Sequence, residues 1–185
     1  MLESDIWAIL LTELETLRGR ALAKLLIIDD LPIRIATDGQ WLHGDEPVHP
    51  KVDILFSKSV YPLEDGSYEL RVGHQKAPVL VADCAFFVRS LTIGRDESGA
   101  LTTIEIRTSD EHNETLVPST LMMSEENVLY CRIERHGFSV PCRFLQRHYY
   151  ELVELSKVEG DAAFIQVGEK RFELSRPYQS GPEKL

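Results

Sequence analysis

Leu129-Tyr130-Cys131-Arg132-Ile133-Glu134-Arg135-His136-Gly137-Phe138-Ser139-Val140-Pro141-Cys142-Arg143-Phe144 is the stretch whose reading decides the fold. Apolar and polar side chains alternate on both sides of His136-Gly137, the period of two that a half-buried strand requires. A residue followed by glycine between two such runs makes a two-residue hairpin turn, whose central positions take positive φ. That turn sets Cys131 opposite Cys142 and Tyr130 opposite Arg143. Leu129, Cys131, Ile133, Phe138, Val140, Cys142 and Phe144 then share an apolar face, with Tyr130, Arg132, Glu134, Ser139, Pro141 and Arg143 on the other.

A second hairpin is expected at 31–44, turning at Asp38-Gly39. With a two-residue turn, Ile35 faces Leu42, Ala36 faces Trp41 and Arg34 faces His43. Ile33, Ile35 and Leu42 would then point one way, and Arg34, Trp41 and His43 the other. Helical spacing of Val52, Leu55, Phe56, Ser59 and Val60 after Pro50 predicts a short helix at about 50–60. A second helix is predicted near 145–156, with Leu145, Tyr149, Leu152 and Val153 inward. Strands are predicted at 68–72, 79–81, 86–93 and 100–108, and a last hairpin at 163–174 around Gly168-Glu169. Residues near 5–26 read as a helix capped by Ser4 or Asp5, with a stripe through Trp7, Leu10, Leu14, Leu17 and Leu25. So wide a stripe must dock, in the first instance on the domain that follows. The tail from Ser175, with Pro177, Gly181 and Pro182, reads as mobile.

Both halves run strand, X-Gly turn, strand, short helix, acidic Gly turn, strand. Arg34-Ile35 precedes Asp38-Gly39 at the same offset as Arg132-Ile133 precedes His136-Gly137. The expected fold class is α+β, mainly antiparallel β, with two related ββαβ-type units. The expected organisation is an N-terminal helix over 1–28, units over 29–94 and 95–176, and a tail over 177–185.

The chain has 185 residues with 20 basic and 30 acidic side chains, a net charge of −10. That balance argues against nucleic acid, whose binders carry a basic footprint, and against anionic membranes. No apolar run approaches the ~20 residues of a membrane-spanning helix. The acidic start lacks the basic region of a secretory signal, so the cytoplasm is the expected compartment. Cys84, Cys131 and Cys142 are read as reduced thiols. Opposed strand positions stand roughly 4.5–5.5 Å apart, wider than the ~3.8 Å a disulfide wants.

The run Ile33-Arg34-Ile35-Ala36-Thr37-Asp38-Gly39-Gln40-Trp41, then Ile54-Leu55-Phe56, Leu63 to Leu70, and Val81-Ala82-Asp83-Cys84-Ala85-Phe86 resembles the uncharacterised bacterial DUF1285 family. That family shows an R-I-x-x-D-G-x-W hairpin, a Leu-Phe helix before a D-G-x-Y-x-L strand, and a V-E-D-x-P-F strand. The likeness covers about 31–88 well and the second half in outline. The chain departs at His49-Pro50-Lys51, where the family has Gly-Arg, at 72–76, where it has T-P-V-E-K, and at Ala82 and Ala85. The resemblance implies a mainly β, two-part fold with a repeated motif, in a cytosolic bacterial protein of signalling or stress response. It brings no established catalytic residue.

No Cys or His spacing matches a zinc site, and there is no phosphate loop, dinucleotide fingerprint or nucleophile elbow. No cofactor or metal is therefore expected. Arg34, Trp41 and His43 on one hairpin, and Tyr130, Arg132 and Arg143 on the other, make two basic and aromatic faces on an acidic protein. With Asp83 they form the candidate binding set, for a small anionic ligand or an acidic segment of a protein partner. The leading function is thus a non-enzymatic binding or regulatory protein. The alternatives are an enzyme with a His/Asp site near Asp83, and a structural subunit that pairs as a homodimer through the N-terminal helix.

Overall fold

Alternating apolar residues bury one side of each hairpin, and the computed structural model shows how those sides meet. It describes residues 31–160, 162–174, 177, 178 and 180–184. The helix expected at 5–26 lies outside the described residues.

The first sheet is built from β1 (Ile33–Ile35), β2 (Trp41–His43), β3 (Glu46–Pro47), β4 (Val60–Pro62), β5 (Tyr68–Val72) and β6 (Gln75–Val81), with α1 (Pro50–Ser59) between β3 and β4. The second holds β7 (Phe86–Arg95), β8 (Leu101–Thr108), β9 (Asn113–Thr115), β10 (Met122–Met123), β11 (Leu129–Arg135) and β12 (Phe138–Phe144), with a 3-10 turn at Pro118–Thr120. Then come α2 (Gln146–Val153) and a three-stranded sheet of β13 (Ser156–Glu159), β14 (Ala162–Val167) and β15 (Lys170–Glu173). Finally β16 (Glu183–Lys184) pairs with β12. The described residues are thus mostly strand, with two short α-helices.

The strand orders are β3-β2-β1-β6-β5-β4 and β10-β11-β12-β7-β8-β9. Read from opposite ends, these are one topology. A three-stranded meander runs from the sheet centre outward, and the next runs from the edge inward. The two meanders join through one parallel pair, β1 with β6 and β12 with β7. The repeat therefore matches β1–β6 with β7–β12. It does not match hairpin with hairpin as the sequence suggests: β1-β2 corresponds to β7-β8, and β11-β12 to β5-β6. The break between the sheets falls at 82–85, because β7 pairs only within the second sheet, and not at 94. In place of α1 the second unit has the 3-10 turn, and α2 leads out of the repeat into the third sheet. Sequence spacing conceals this because hairpin signals are alike in either direction of travel.

The β11-β12 hairpin has the expected register, Cys131 facing Cys142 and Tyr130 facing Arg143. His136 (φ 53°) and Gly137 (φ 81°) supply the two positive φ values of its turn. Cys84, Cys131 and Cys142 are buried free thiols.

The β1-β2 hairpin is shifted by one residue from expectation. Ile35 pairs with Trp41, Arg34 with Leu42 and Ile33 with His43. The loop is Thr37-Asp38-Gly39, three residues, closed by Ala36 N–H to Gln40 O at 2.9 Å and Gly39 N–H to Ala36 O at 2.9 Å. Asp38 takes the Gln40 N–H at 3.0 Å and Gly39 sits at φ +84°, as in a turn followed by a left-handed residue. A slip of one residue exchanges the faces of a strand. Trp41 therefore joins Ile33 and Ile35 inside, and Arg34 points out beside Leu42. A Cβ on Gly39 would stand 2.9 Å from the Phe87 ring, so this turn also packs against the start of β7.

Most of the core is one cluster spanning both large sheets, with Trp41, Phe56, Phe86, Phe87 and Ile104 among its fully buried members. On α1, Val52 and Phe56 face inward, and the Phe56 ring meets Trp41 edge-on at 5.3 Å. His49 caps this helix, its Nδ1 accepting from Lys51 N–H at 3.2 Å.

Candidate functional site

Residues from three elements converge where the two large sheets adjoin. β11 supplies Tyr130 and Arg132, β12 supplies Arg143, and the link between β6 and β7 supplies Asp83. The Tyr130 hydroxyl donates to Asp83 at 3.0 and 3.1 Å, and Arg143 Nη1 donates to Asp83 Oδ2 at 2.6 Å. Burial, then the Asp83 charge, pushes the Tyr130 phenol above its ordinary value. Burial would lower the Arg143 value, but Asp83 outweighs it and holds the guanidinium more firmly charged. Burial and Asp83 likewise raise the Cys84 thiol, against any nucleophilic role.

The chain's own tail lies on this face. Tyr178 stacks on Tyr130 with ring centroids 3.9 Å apart and planes 19° from parallel. Tyr178 N–H donates to Met123 O at 3.2 Å, and β16 pairs with Phe138 and Ser139. Arg132 donates to Ser139 Oγ at 2.8 Å, to Ser139 O at 2.6 Å and to Gly181 O at 3.3 Å, and lies 3.3 Å from Glu183. The described residues of the segment expected to be a mobile tail make aromatic and main-chain contacts with the second sheet. The hydroxyls of Tyr178 and Tyr68 are both buried with no hydrogen-bond partner.

The other face expected from the sequence does not assemble. Trp41 is buried, its Nε1 donating to Ser57 Oγ at 2.9 Å, and Ser57 in turn donates to Asp53 at 3.2 Å. Arg34 points to the opposite side, donating to Gly44 O at 2.5 Å and pairing with Asp45. His43 is half-buried on the Trp41 side. Of the seven candidates, then, Asp83, Tyr130, Arg132 and Arg143 come together, while Arg34, Trp41 and His43 are divided by the corrected register.

Two polar clusters escaped the sequence reading. Arg135, on the inner side of β11, donates Nε to Asp110 at 2.5 Å and Nη2 to Thr108 at 2.9 Å and Glu114 at 2.7 Å. Thr108 Oγ1 donates to Asp110, and His112 Nδ1 lies 2.9 Å from it. The available signal was that Arg135 continues the apolar alternation of Cys131 and Ile133, and a charge there requires a buried partner. His148 is buried on α2, at the spacing of Leu145 and Leu152. Its Nε2 donates to Arg89 O at 2.8 Å and its Nδ1 lies 2.9 Å from Glu151.

Asp110 gives an acid limit to stability. Burial would raise its carboxyl, but the hydrogen bonds from Arg135 and Thr108 outweigh that and hold it below the ordinary value. A carboxyl lower in the folded than in the unfolded chain adds stability above about pH 4, and this is lost as pH falls through the folded value. Urea midpoints should therefore fall between pH 4 and 2, and Asp110→Asn should show a shallower fall over that range. Parallel curves for the two proteins would remove Asp110 from the acid response.

The arrangement of two large sheets, with α1 between β3 and β4 of the first and α2 after β12 of the second, was compared with solved structures. A DUF1285 family protein from Silicibacter pomeroyi DSS-3 superposes with a TM-score of 0.62 at 17 % identity, covering 86 % of this chain and 90 % of that one. The chain is similar in fold to DUF1285 proteins. A second DUF1285 family protein, from Shewanella baltica OS155, gives a TM-score of 0.53 at 17 % identity, over 68 % of this chain and 92 % of that one. No protein-family model and no curated protein matches the sequence. The fold implied by the motifs at 31–88 is thus the one observed. DUF1285 likeness brings no activity with it, so the reading of function rests on the site itself.

Proposed function

We propose that this protein is a non-enzymatic regulatory binding module, and that its Tyr130–Arg132–Arg143 face receives an acidic, aromatic-bearing segment of a partner protein. The observation that supports this most is the occupant already there. The tail offers a flat ring to Tyr130, a carboxylate to Arg132 and a short strand to β12. These are the elements of strand addition, in which main-chain pairing gives affinity and side-chain seats give specificity. In this reading the tail stands in for the partner and holds the face closed until a competing segment arrives. A free small anion is the weaker ligand, because Arg143 and Arg132 each already meet a carboxylate. The enzyme alternative is weaker for a similar reason, since Asp83 is engaged by both Tyr130 and Arg143. The setting implied by the DUF1285 resemblance, bacterial signalling or stress response in the cytoplasm, fits such a module.

An aromatic stack is worth about 0.5–1.5 kcal/mol and an exposed ion pair at most about 1 kcal/mol. The tail is thus weakly held, and opening it should raise partner affinity roughly ten- to hundredfold. The test uses the full-length chain carrying Tyr178→Ala and Glu183→Ala, with a labelled synthetic peptide of residues 175–185 as probe. Fluorescence anisotropy should show the probe bound by this variant, poorly bound by the native chain, and released when Arg132→Ala is added. A folded double variant that ignores the probe at millimolar concentration would refute the reading.

A further inference from the structure

At the far end of β7 from Asp83, the tip of the β7-β8 hairpin meets the third sheet around a cleft of about 380 Å³. Residues 99–101 and Arg95 line it from the hairpin, 154–157 from the exit of α2, and Gln166 and Gly168 from β14 and its turn. Gly168 N–H donates to Leu101 O at 2.7 Å, so the two sides are fastened to each other and the cleft is formed in advance. Its size is that of a small-molecule site.

The charges here break the pattern of the rest of the protein. Among the described residues, every arginine except Arg95 pairs with a carboxylate. Arg95 donates only to Gly99 O, at 2.9 Å within its own turn, which leaves most of its N–H donors unused. The acid beside it in sequence, Asp96, is taken up by the turn itself, accepting from Ser98 N–H, Ser98 Oγ and Ala100 N–H. Lys157 faces the same cleft and donates to a neutral group, Gln166 Oε1, at 3.2 Å. Glu154 is the one acid on the lining, so two cations outnumber it on a protein of net charge −10. The placing of Arg95 is a built feature. The β7-β8 register shifts between Gly94 and Arg95, and a Cβ on Gly94 would collide with Thr103 Oγ1. Such a bulge bends the strand and re-aims the side chain that follows.

We propose that this cleft binds a small organic anion, its phosphate or carboxylate held by Arg95 and Lys157 and its apolar body against Leu101 and Leu155. A guanidinium fork with free donors matches either oxyanion, and an ammonium adds a second charge-assisted bond. This site is separate from the Tyr130 face and does not depend on the tail.

The experiment is a titration of the 15N-labelled full-length protein with phenyl phosphate and, separately, with benzoate, followed by amide chemical shifts. The Gly99 and Gly168 amides should shift saturably with at least one probe, in the millimolar range that ~10 non-hydrogen atoms allow. Saturation by phenyl phosphate alone assigns the site to phosphate esters, and by benzoate alone to carboxylates. Arg95→Gln should weaken binding roughly ten- to hundredfold, the loss of a charged hydrogen-bond donor, at an unchanged thermal midpoint. Lys157→Gln should weaken it about tenfold. Lys58→Gln, which removes one exposed charge from α1, should bind like the native chain. Shifts that stay linear with both probes would overturn the proposal. So would native affinity in Arg95→Gln, or an equal loss in Lys58→Gln, which would mean general charge attraction.

Discussion

Asp110→Ala should destabilise the protein by about 3–5 kcal/mol, because it strands the Arg135 charge in the interior. At this chain length that lowers Tm by about 10 °C. Arg135 and Asp110 are both nearly enclosed, with side chains 8 % and 3 % exposed. The pair ties the turn between β8 and β9 to the end of β11, and neither β8 nor β9 neighbours β11 in the sheet. Asp110 is met from three directions, by Arg135, Thr108 and His112. Glu114 remains to Arg135 in the variant, but it is the more exposed partner. Adding Arg135→Leu should recover part of the loss, since an apolar pair of similar volume replaces a buried ion pair at little cost. Urea unfolding of the native chain and of the single and double variants measures this directly. A single-variant loss below about 1 kcal/mol would mean the pair behaves as a surface bridge.

Trp41→Ala comes second, with an expected loss of about 3–5 kcal/mol, the range for removing a buried large aromatic. Trp41 is fully buried, fills the space against Phe56 and donates to Ser57. The sequence reading placed it on an exposed binding face, so the variant separates the two views cleanly. A binding residue would leave Tm unchanged on truncation. A core residue lowers it, and a truncated Trp41 leaves a cavity and removes the donor to Ser57 Oγ. Arg34→Ala is the matched control from the other side of the same strand pair; it should change stability by about 0.5 kcal/mol or less, as surface changes do. If Trp41→Ala melts with the native chain, the observed register of β1 and β2 is wrong.

Much of this could be read locally. The Leu129–Phe144 hairpin was legible down to its register, because His136-Gly137 admits a two-residue turn and both strands alternate strictly. Both short helices were legible from their spacing, and the last hairpin from Gly168-Glu169. The first hairpin was legible as an element but not in register. Asp38-Gly39 serves a two-residue and a three-residue turn equally well, and the choice between them decides which side Trp41 faces. Nothing within 31–44 selects one. Packing does, since only the observed register buries Ile33, Ile35 and Trp41 together in the core.

The candidate site was legible by half. Tyr130, Arg132 and Arg143 were placed on one face by alternation alone, and the contribution of Asp83 needed the two sheets to adjoin. The seat taken by the tail was not legible: Pro and Gly content reports the freedom of the isolated segment, while stacking on Tyr130 is a contact across 48 positions of sequence.

By itself, then, the sequence determined what acts over a few residues: turn chemistry, strand and helix periods, the two hairpins, the reduced thiols and the motifs at 31–88 that resemble DUF1285. Only the tertiary structure decided what depends on which surfaces meet. It chose the three-residue turn that buries Trp41, matched β1–β6 to β7–β12 through their parallel pairs, enclosed Arg135 with Asp110, and laid the tail across Tyr130. The physical reason is common to all four. Each choice is nearly neutral in local backbone energy, and is resolved by burying apolar area and pairing charges between segments far apart in the chain.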